Sequence, residues 1–298
     1  MAQCFTEIQQ RTAPRSQSHT HIMTVSKDHY YRLASNLPQE RIRAASALIG
    51  ELQNVNAESE YKYALNRLIS GLASGHDSAR PGYSMCLTEL LSLLVNNEAY
   101  PYSAQQFLQD LNSTLEKIVT AKHKGKNLRA YLFAKIFGIQ SLINSELLTS
   151  ADHLELKIID ELFEVALTKS WIRETAIVTL IKLIQKFELT NDAEIIPYIL
   201  SKLASNSLLL SMDGLLIYLT IPIEERQSLT ELANIESSIQ RWKNDNPLTK
   251  GNLPLLKDAL QDRIIFNPEE EEESEQQPQS GNKKKGKSKD KEANKIQK

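Results

Sequence analysis

Residues 65–95 read LNRLISGLASGHDSARPGYSMCLTELLSLLV. Before the polar middle, Leu65, Leu68, Ile69 and Leu72 recur at three- and four-residue steps; after it, Tyr83, Cys86, Leu87, Leu90 and Leu94 do the same. That period puts each set on one face of a helix, and an apolar face must be buried against a neighbour. The middle, Gly75-His76-Asp77-Ser78-Ala79-Arg80, holds enough chemistry to pass for a catalytic loop. Consecutive residues do not make a Ser-His-Asp triad, however, because triad members converge from separate segments. The stretch therefore reads as a helical hairpin. Asp77 or Ser78 is expected to cap the second helix. Arg80, one turn in, is expected to reach a carboxylate or carbonyl of a neighbouring repeat, and His76 to sit on an exposed corner. Leu87-Thr88-Glu89-Leu90-Leu91 has the LxxLL form of groove-docking helices, but its leucines belong to the stripe assigned to the core.

The same pattern extends outward, from Asp28 to about Leu219. Ile42, Ala45, Leu48, Ile49 and Leu52 form an earlier stripe, and Tyr61 extends the one at Leu65. Pro38 opens a helix, at a position where its missing N–H costs no bond. Breaks centred at 37, 76, 124, 170 and 206 are spaced by 39, 48, 46 and 36 residues, with weaker breaks between them. Trp171-Ile172-Arg173-Glu174 holds a place comparable to the Asp77–Arg80 corner. A helix pair every 40-odd residues is the size of a HEAT or armadillo unit, and such pairs bury their faces by stacking. The fold class is all-α, a HEAT/armadillo-like helical-repeat solenoid of about five helix pairs; a compact helical bundle is the alternative. The expected organisation is a disordered leader over 1–24, repeats over 25–220, a less regular helical extension over 221–266 and a disordered charged tail over 267–298. In the extension, Pro247 and Pro254 flank the short apolar piece LPLLKDAL.

Composition agrees with helices. The 298 residues are 41% hydrophobic yet only 6% aromatic, with ten glycines and ten prolines, too few for a strand-and-turn protein. Cys4 and Cys86 have no metal-type spacing and imply no disulfide framework, which fits a reducing compartment. No apolar run approaches the ~18 residues of a membrane span. The leader MAQCFTEIQQRTAPRSQSHTHIM has no apolar region of a secretory signal; its arginines hint at a transit peptide, and Met23 is an alternative start. His19, His21 and His29 read as a stray cluster rather than a metal site.

Two basic features are candidates for nucleic-acid contact. Lys122, Lys124, Lys126 and Arg129 lie at a predicted hairpin corner, where phosphate contacts would make binding salt-dependent. No aromatic residue interleaves with these lysines, so a single-strand platform is not indicated. The tail carries eight lysines over 283–298 against Asp290 and Glu292, leaving six positive charges. Lys283, Lys284, Lys285, Lys287 and Lys289 read as a nuclear-targeting signal or a non-specific RNA or DNA contact. Five consecutive glutamates at 269–273 stand just upstream and can screen them.

HYYRLASNLPQERIRAASALIGEL and YALNRLISGLASGHDSARPGYSMCLTELLSLL resemble the N-terminal region of the DNA polymerase phi / Myb-binding protein family. GKNLRAYLFAKIFGIQSLINSELL, SWIRETAIVTLIKLI and NPLTKGNLPLL continue the resemblance, which runs from about Met23 to Pro254. It implies a nucleolar protein of HEAT-like repeats associated with ribosomal DNA, ribosomal RNA synthesis and maturation of the large ribosomal subunit. Partners would be ribosomal DNA, pre-ribosomal RNA or chromatin, together with ribosome-assembly or transcription proteins, and no membrane or small-molecule substrate. Family members are several times longer, which points to a truncated product or a gene-model fragment. The word polymerase raises a chemical test. Two-metal catalysis needs carboxylates converging on ions about 4 Å apart. Asp160-Glu161 and Glu224-Glu225 are adjacent in helical or loop contexts, and neighbours on a helix point roughly 100° apart. The flexible glutamate run preorganises nothing, and no Gly-rich phosphate loop occurs. The reading is therefore a non-catalytic nucleolar scaffold without cofactor. The alternatives are a DNA-directed DNA polymerase, a nuclear transcription co-regulator that binds other proteins, and a cytoplasmic adaptor without nucleic-acid contact.

Overall fold

The computed structural model describes residues 25–119 and 126–264. The leader, Cys4, Lys122, Lys124 and the charged tail from 267 lie outside the described residues. Within them the chain is all-helical, with no strand. The α-helices are α1 (Asp28–Arg32), α2 (Pro38–Val55), α3 (Glu58–Leu72), α4 (Ala79–Leu93), α5 (Ala104–Val119), α6 (Lys126–Asn144), α7 (Glu155–Thr168), α8 (Ser170–Lys186), α9 (Ile195–Ser205), α10 (Met212–Thr220), α11 (Arg226–Leu232) and α12 (Leu253–Ile264). Their boundaries fall at the sequence breaks: Asn56-Ala57 separates α2 from α3, Lys169 alone separates α7 from α8, and Pro38 is the first residue of α2.

The described chain forms two compact units. One gathers residues 25–118 and 133–158, the other the described part of 119–132 with 159–264.

The first unit is organised by the hairpin of α3 and α4. Leu68, Ile69 and Leu72 face Leu87, Leu90 and Leu91 in a core from which solvent is wholly excluded. The three leucines of the LxxLL sequence are thus core residues. Two glycines let neighbouring segments approach more closely than any side chain would permit. A Cβ at Gly71 would lie 2.3 Å from the Tyr83 ring, and one at Gly82 would lie 2.0 Å from the Leu33 carbonyl oxygen. The Tyr83 hydroxyl donates to Tyr30 O at 2.8 Å, joining α4 to α1. At the next residue, the Ser84 and Ser141 hydroxyls lie 2.9 Å apart, tying α4 to the C-terminal half of α6. A Cβ at Gly138 would come within 2.5 Å of Leu111, so α5 and α6 also meet at a glycine.

The stripe on α2 is narrower than its periodicity predicts. Ala44, Ala45, Leu48 and Leu52 are buried, but Ile42 is 49% exposed. Ile42 lies roughly 100° round the helix from the middle of that stripe.

In the second unit, Ile172, Ala176, Leu180 and Leu183 of α8 and Ile196, Ile199, Leu200 and Leu203 of α9 supply the core. Ser211 caps α10, its hydroxyl accepting from the amides of Asp213 and Gly214. Beyond residue 220 the helices shorten, and polar side chains hold the connections. Trp242 is buried and donates its indole N–H to Leu209 O at 3.1 Å. Asn252 is fully buried; its Oδ1 accepts from the Lys243 amide at 3.0 Å and its Nδ2 lies 2.8 Å from Asn246 O. Arg226, also buried, donates from Nε to Ile221 O. The piece LPLLKDAL becomes α12, burying Ala259 while Leu253 and Leu260 face solvent.

Gly82→Ala is expected to destabilise the chain by at least about 1–3 kcal/mol, because the new methyl meets a backbone carbonyl that cannot rotate away. Gly75, in the same hairpin, has open space around it: a Cβ added there would meet nothing within 4 Å. Gly75→Ala should therefore leave the urea midpoint unchanged, and paired denaturation curves check both outcomes.

Candidate nucleic-acid interface

The residues of the opening corner diverge. Ser78 stands at the N-cap of α4, but no side-chain cap bond forms. Its hydroxyl donates instead to Ala34 O at 3.3 Å. Asp77 does not cap either: its carboxylate takes a 2.5 Å bond from Arg80. Arg80 also donates to Ser74 O, and its guanidinium carbon sits 4.8 Å from the centre of the Phe133 ring. The expected cap is thus replaced by a buried arginine, 7% exposed, that turns back to satisfy its own loop. The physical reason is competition: a close, charged hydrogen bond to arginine prevails over a neutral cap for the Asp77 carboxylate. His76 is exposed on the corner, as its place in the loop implies.

Arg173 performs the reach expected of Arg80. Its Nε donates to Ala166 O of α7 at 3.3 Å, and its Nη1 lies 3.9 Å from the Asp213 carboxylate of α10. Two residues earlier on α8, Trp171 points outward and is 39% exposed. Arg129 of α6 places its guanidinium carbon 5.5 Å from the centre of that indole. Of the four predicted corner residues, Arg129 alone has a described side chain. Lys126 opens α6, but only its backbone is described; Lys122 and Lys124 lie outside the described residues. So do Lys283, Lys284, Lys285, Lys287 and Lys289. The residue that local reading misses is Trp171. It is 42 positions along the chain from Arg129, so no inspection of the lysine run alone would find it.

The acidic residues weighed for metal chemistry are placed apart. Asp160 accepts from Lys202 at 2.7 Å and from the Tyr198 hydroxyl at 2.6 Å. Partial burial by itself would raise its carboxyl, but the bonds from Lys202 and Tyr198 outweigh burial and hold it below the ordinary range. Glu161, next along α7, turns into the core. Among the described residues no group of three or more His, Cys, Asp or Glu side chains could hold a metal ion. The Asp160–Lys202 pair lies in a groove between α7 and α9 that Phe163 and Leu167 also line. His29 bonds to Glu51 at 2.9 Å, and the Ser26 amide donates to the same carboxylate. The His29 bond first, then the Ser26 amide, depresses the Glu51 carboxyl. Cys86 is fully buried, and desolvation pushes its thiol up to about 12. No described helix is long and apolar enough to cross a membrane.

Fold and surface together define a protein that is all-helical in its described residues, with Arg129 and Trp171 paired at its surface. The chain belongs to the DNA polymerase phi family, whose model matches residues 63–291. It is 36% identical over 262 residues to the rDNA transcriptional regulator POL5 of Saccharomyces cerevisiae, a match covering 80% of this chain and 25% of that protein. The rDNA transcriptional regulator pol5 of Schizosaccharomyces pombe is 27% identical over 243 residues, covering 78% and 23%. Myb-binding protein 1A of Rattus norvegicus is 26% identical over 220 residues, covering 74% and 15%. The chain thus spans about a quarter or less of the length of these relatives. They are named as rDNA transcriptional regulators or as a Myb-binding protein. No solved structure gives a significant match.

Two outcomes follow from the titrating groups. Asp160 has a depressed folded-state pKa, so its pair with Lys202 stabilises the chain above the unfolded carboxyl value of about 4 and is lost as pH falls through the lowered value. Because both side chains are partly exposed, the contribution is at most about 1 kcal/mol. Asp160→Asn should lose correspondingly less stability than the parent between neutral pH and pH 3 in urea melts. Cys86, with almost no thiolate at pH 8, should resist iodoacetamide in the native chain and react only in denaturant, as peptide mapping will show.

Proposed function

We propose that this chain is a non-catalytic helical-repeat scaffold of the HEAT/armadillo type, working in the nucleus and its nucleolus. It supports ribosomal RNA transcription and large-subunit biogenesis. It holds ribosomal DNA, pre-ribosomal RNA or chromatin weakly through the Lys122, Lys124, Lys126 and Arg129 corner. Its helices offer faces to transcription or ribosome-assembly proteins. Helix pairs over 25–220 form the repeats, 221–266 extends them, and the segments at 1–24 and 267–298 are a leader and a charged tail. Lys283, Lys284, Lys285, Lys287 and Lys289 direct the chain to the nucleus.

The single observation that carries this reading is the match, across 80% of the chain, to a relative named as an rDNA transcriptional regulator. The hairpin corner supports it as well. His76, Asp77 and Ser78 are neighbours in sequence, yet Asp77 and Ser78 are engaged with different partners. Asp160 and Glu161 likewise face different surroundings, one bonded to Lys202 and the other turned into the core. A second reading, a co-regulator that acts by binding other proteins, is favoured by the relatives named Myb-binding protein 1A.

Purified full chain with magnesium, primed template and nucleotides is expected to incorporate nothing; metal-dependent extension would restore the polymerase reading. In cells, crosslinked chromatin is expected to be enriched for ribosomal DNA over other loci. Replacing the five tail lysines by glutamine should move a tagged chain out of the nucleus. An unchanged distribution assigns targeting elsewhere.

A further inference from the structure

Arg129 and Trp171 form an exposed pair at the starts of α6 and α8, with the guanidinium carbon 5.5 Å from the indole centre. The chain has two tryptophans, and they are treated oppositely. Trp242 is buried with its N–H bonded to Leu209 O, whereas Trp171 keeps 39% of its surface in water. Ile172, beside it, is fully buried, so α8 is anchored by one residue while it displays the next. A large ring left at the surface under a guanidinium is a flat, cationic, polarisable face. Unpaired bases stack on such aromatic rings and guanidinium planes. Lys169, two positions before Trp171, adds positive charge, and Glu174 lies one turn further along α8. In sequence, three more lysines stand within seven residues before Arg129. That charge favours a phosphate-linked ligand over a basic peptide.

We propose that Arg129 and Trp171 are a stacking platform for an unpaired nucleobase of single-stranded RNA or DNA. The proposal rests on the nucleic-acid reading above and narrows it from charge contact to single-strand recognition. A duplex keeps its base faces covered and offers the platform nothing to stack. The aromatic component absent from the lysine run itself is thereby supplied by a second helix.

Intrinsic fluorescence tests this in the full chain, because Trp171 is accessible and Trp242 is an internal reference. Oligoadenylate RNA, the DNA strand of the same sequence and a blunt duplex are titrated in separate arms at low salt. Both single strands should quench the emission, and the duplex should not. Stronger quenching by the RNA than by the DNA identifies RNA as the source, since only RNA carries the 2′-hydroxyl. Trp171→Phe should abolish the quench while the Trp242 emission and melting temperature stay unchanged. Trp171→Ala and Arg129→Ala should each weaken single-strand affinity about ten-fold, read by anisotropy of labelled strands. If the parent chain binds no nucleic acid, this proposal and the nucleic-acid reading both fall. If it binds but the Trp171 and Arg129 variants bind equally well, or the duplex quenches equally, the platform alone falls and the charge-contact reading stands. Should Trp171→Ala fail to fold, the phenylalanine and Arg129 arms decide the outcome.

Discussion

The constraint on which the first unit depends is the close approach of α4 to its neighbours at two residues without side chains. Gly71 leaves the space that the Tyr83 ring fills, and Gly82 lies against the Leu33 carbonyl. With both contacts made, the Tyr83 hydroxyl reaches Tyr30 O, and the neighbouring Ser84 meets Ser141. One short run, Ser-Ala-Arg-Pro-Gly-Tyr-Ser, thus binds α4 to three other segments by three kinds of contact. A hairpin held by leucines alone could slide along its stripe, because apolar contact has little directionality. The tyrosine hydroxyl and the glycine gaps fix the register that the leucines leave open.

This is why the helices were legible in the sequence and their contacts were not. Period and breaks located the helices from Asp28 to about Leu219, since a buried face must repeat at helical spacing whatever it packs against. Ile42 was misplaced because periodicity gives the direction of a stripe and not its width. The cap at Asp77 failed for a related reason. A carboxylate at a helix start has two suitors, the backbone amides and a nearby arginine, and only the three-dimensional path of Arg80 decides between them. Asn252 and Trp242 carry the irregular stretch beyond residue 220 through single, specific hydrogen bonds, which leave no periodic trace at all.

The candidate interface divides along the same line. Charge is a property of composition, so the lysine-rich corner is visible in a linear reading. Stacking needs a ring and a cation at one place, and here they come from α6 and α8. Absence of aromatics near the lysines was a true statement about the chain and an incomplete one about the surface.

Arg80 and Arg129 show how one interaction serves two ends. Each guanidinium sits over an aromatic ring, at 4.8 Å for Phe133 and 5.5 Å for Trp171. Arg80 is almost wholly buried, its two terminal nitrogens donate to Asp77 and Ser74 O, and its cation–π contact is enclosed within the first unit. The Arg129 pair stands in water, where such a contact is worth only about 0.5–1 kcal/mol. A contact that weak is a poor reason to keep a tryptophan at the surface of a helix whose neighbouring isoleucine is buried. The arrangement gains energetic sense when a third flat group joins the stack and removes water from it.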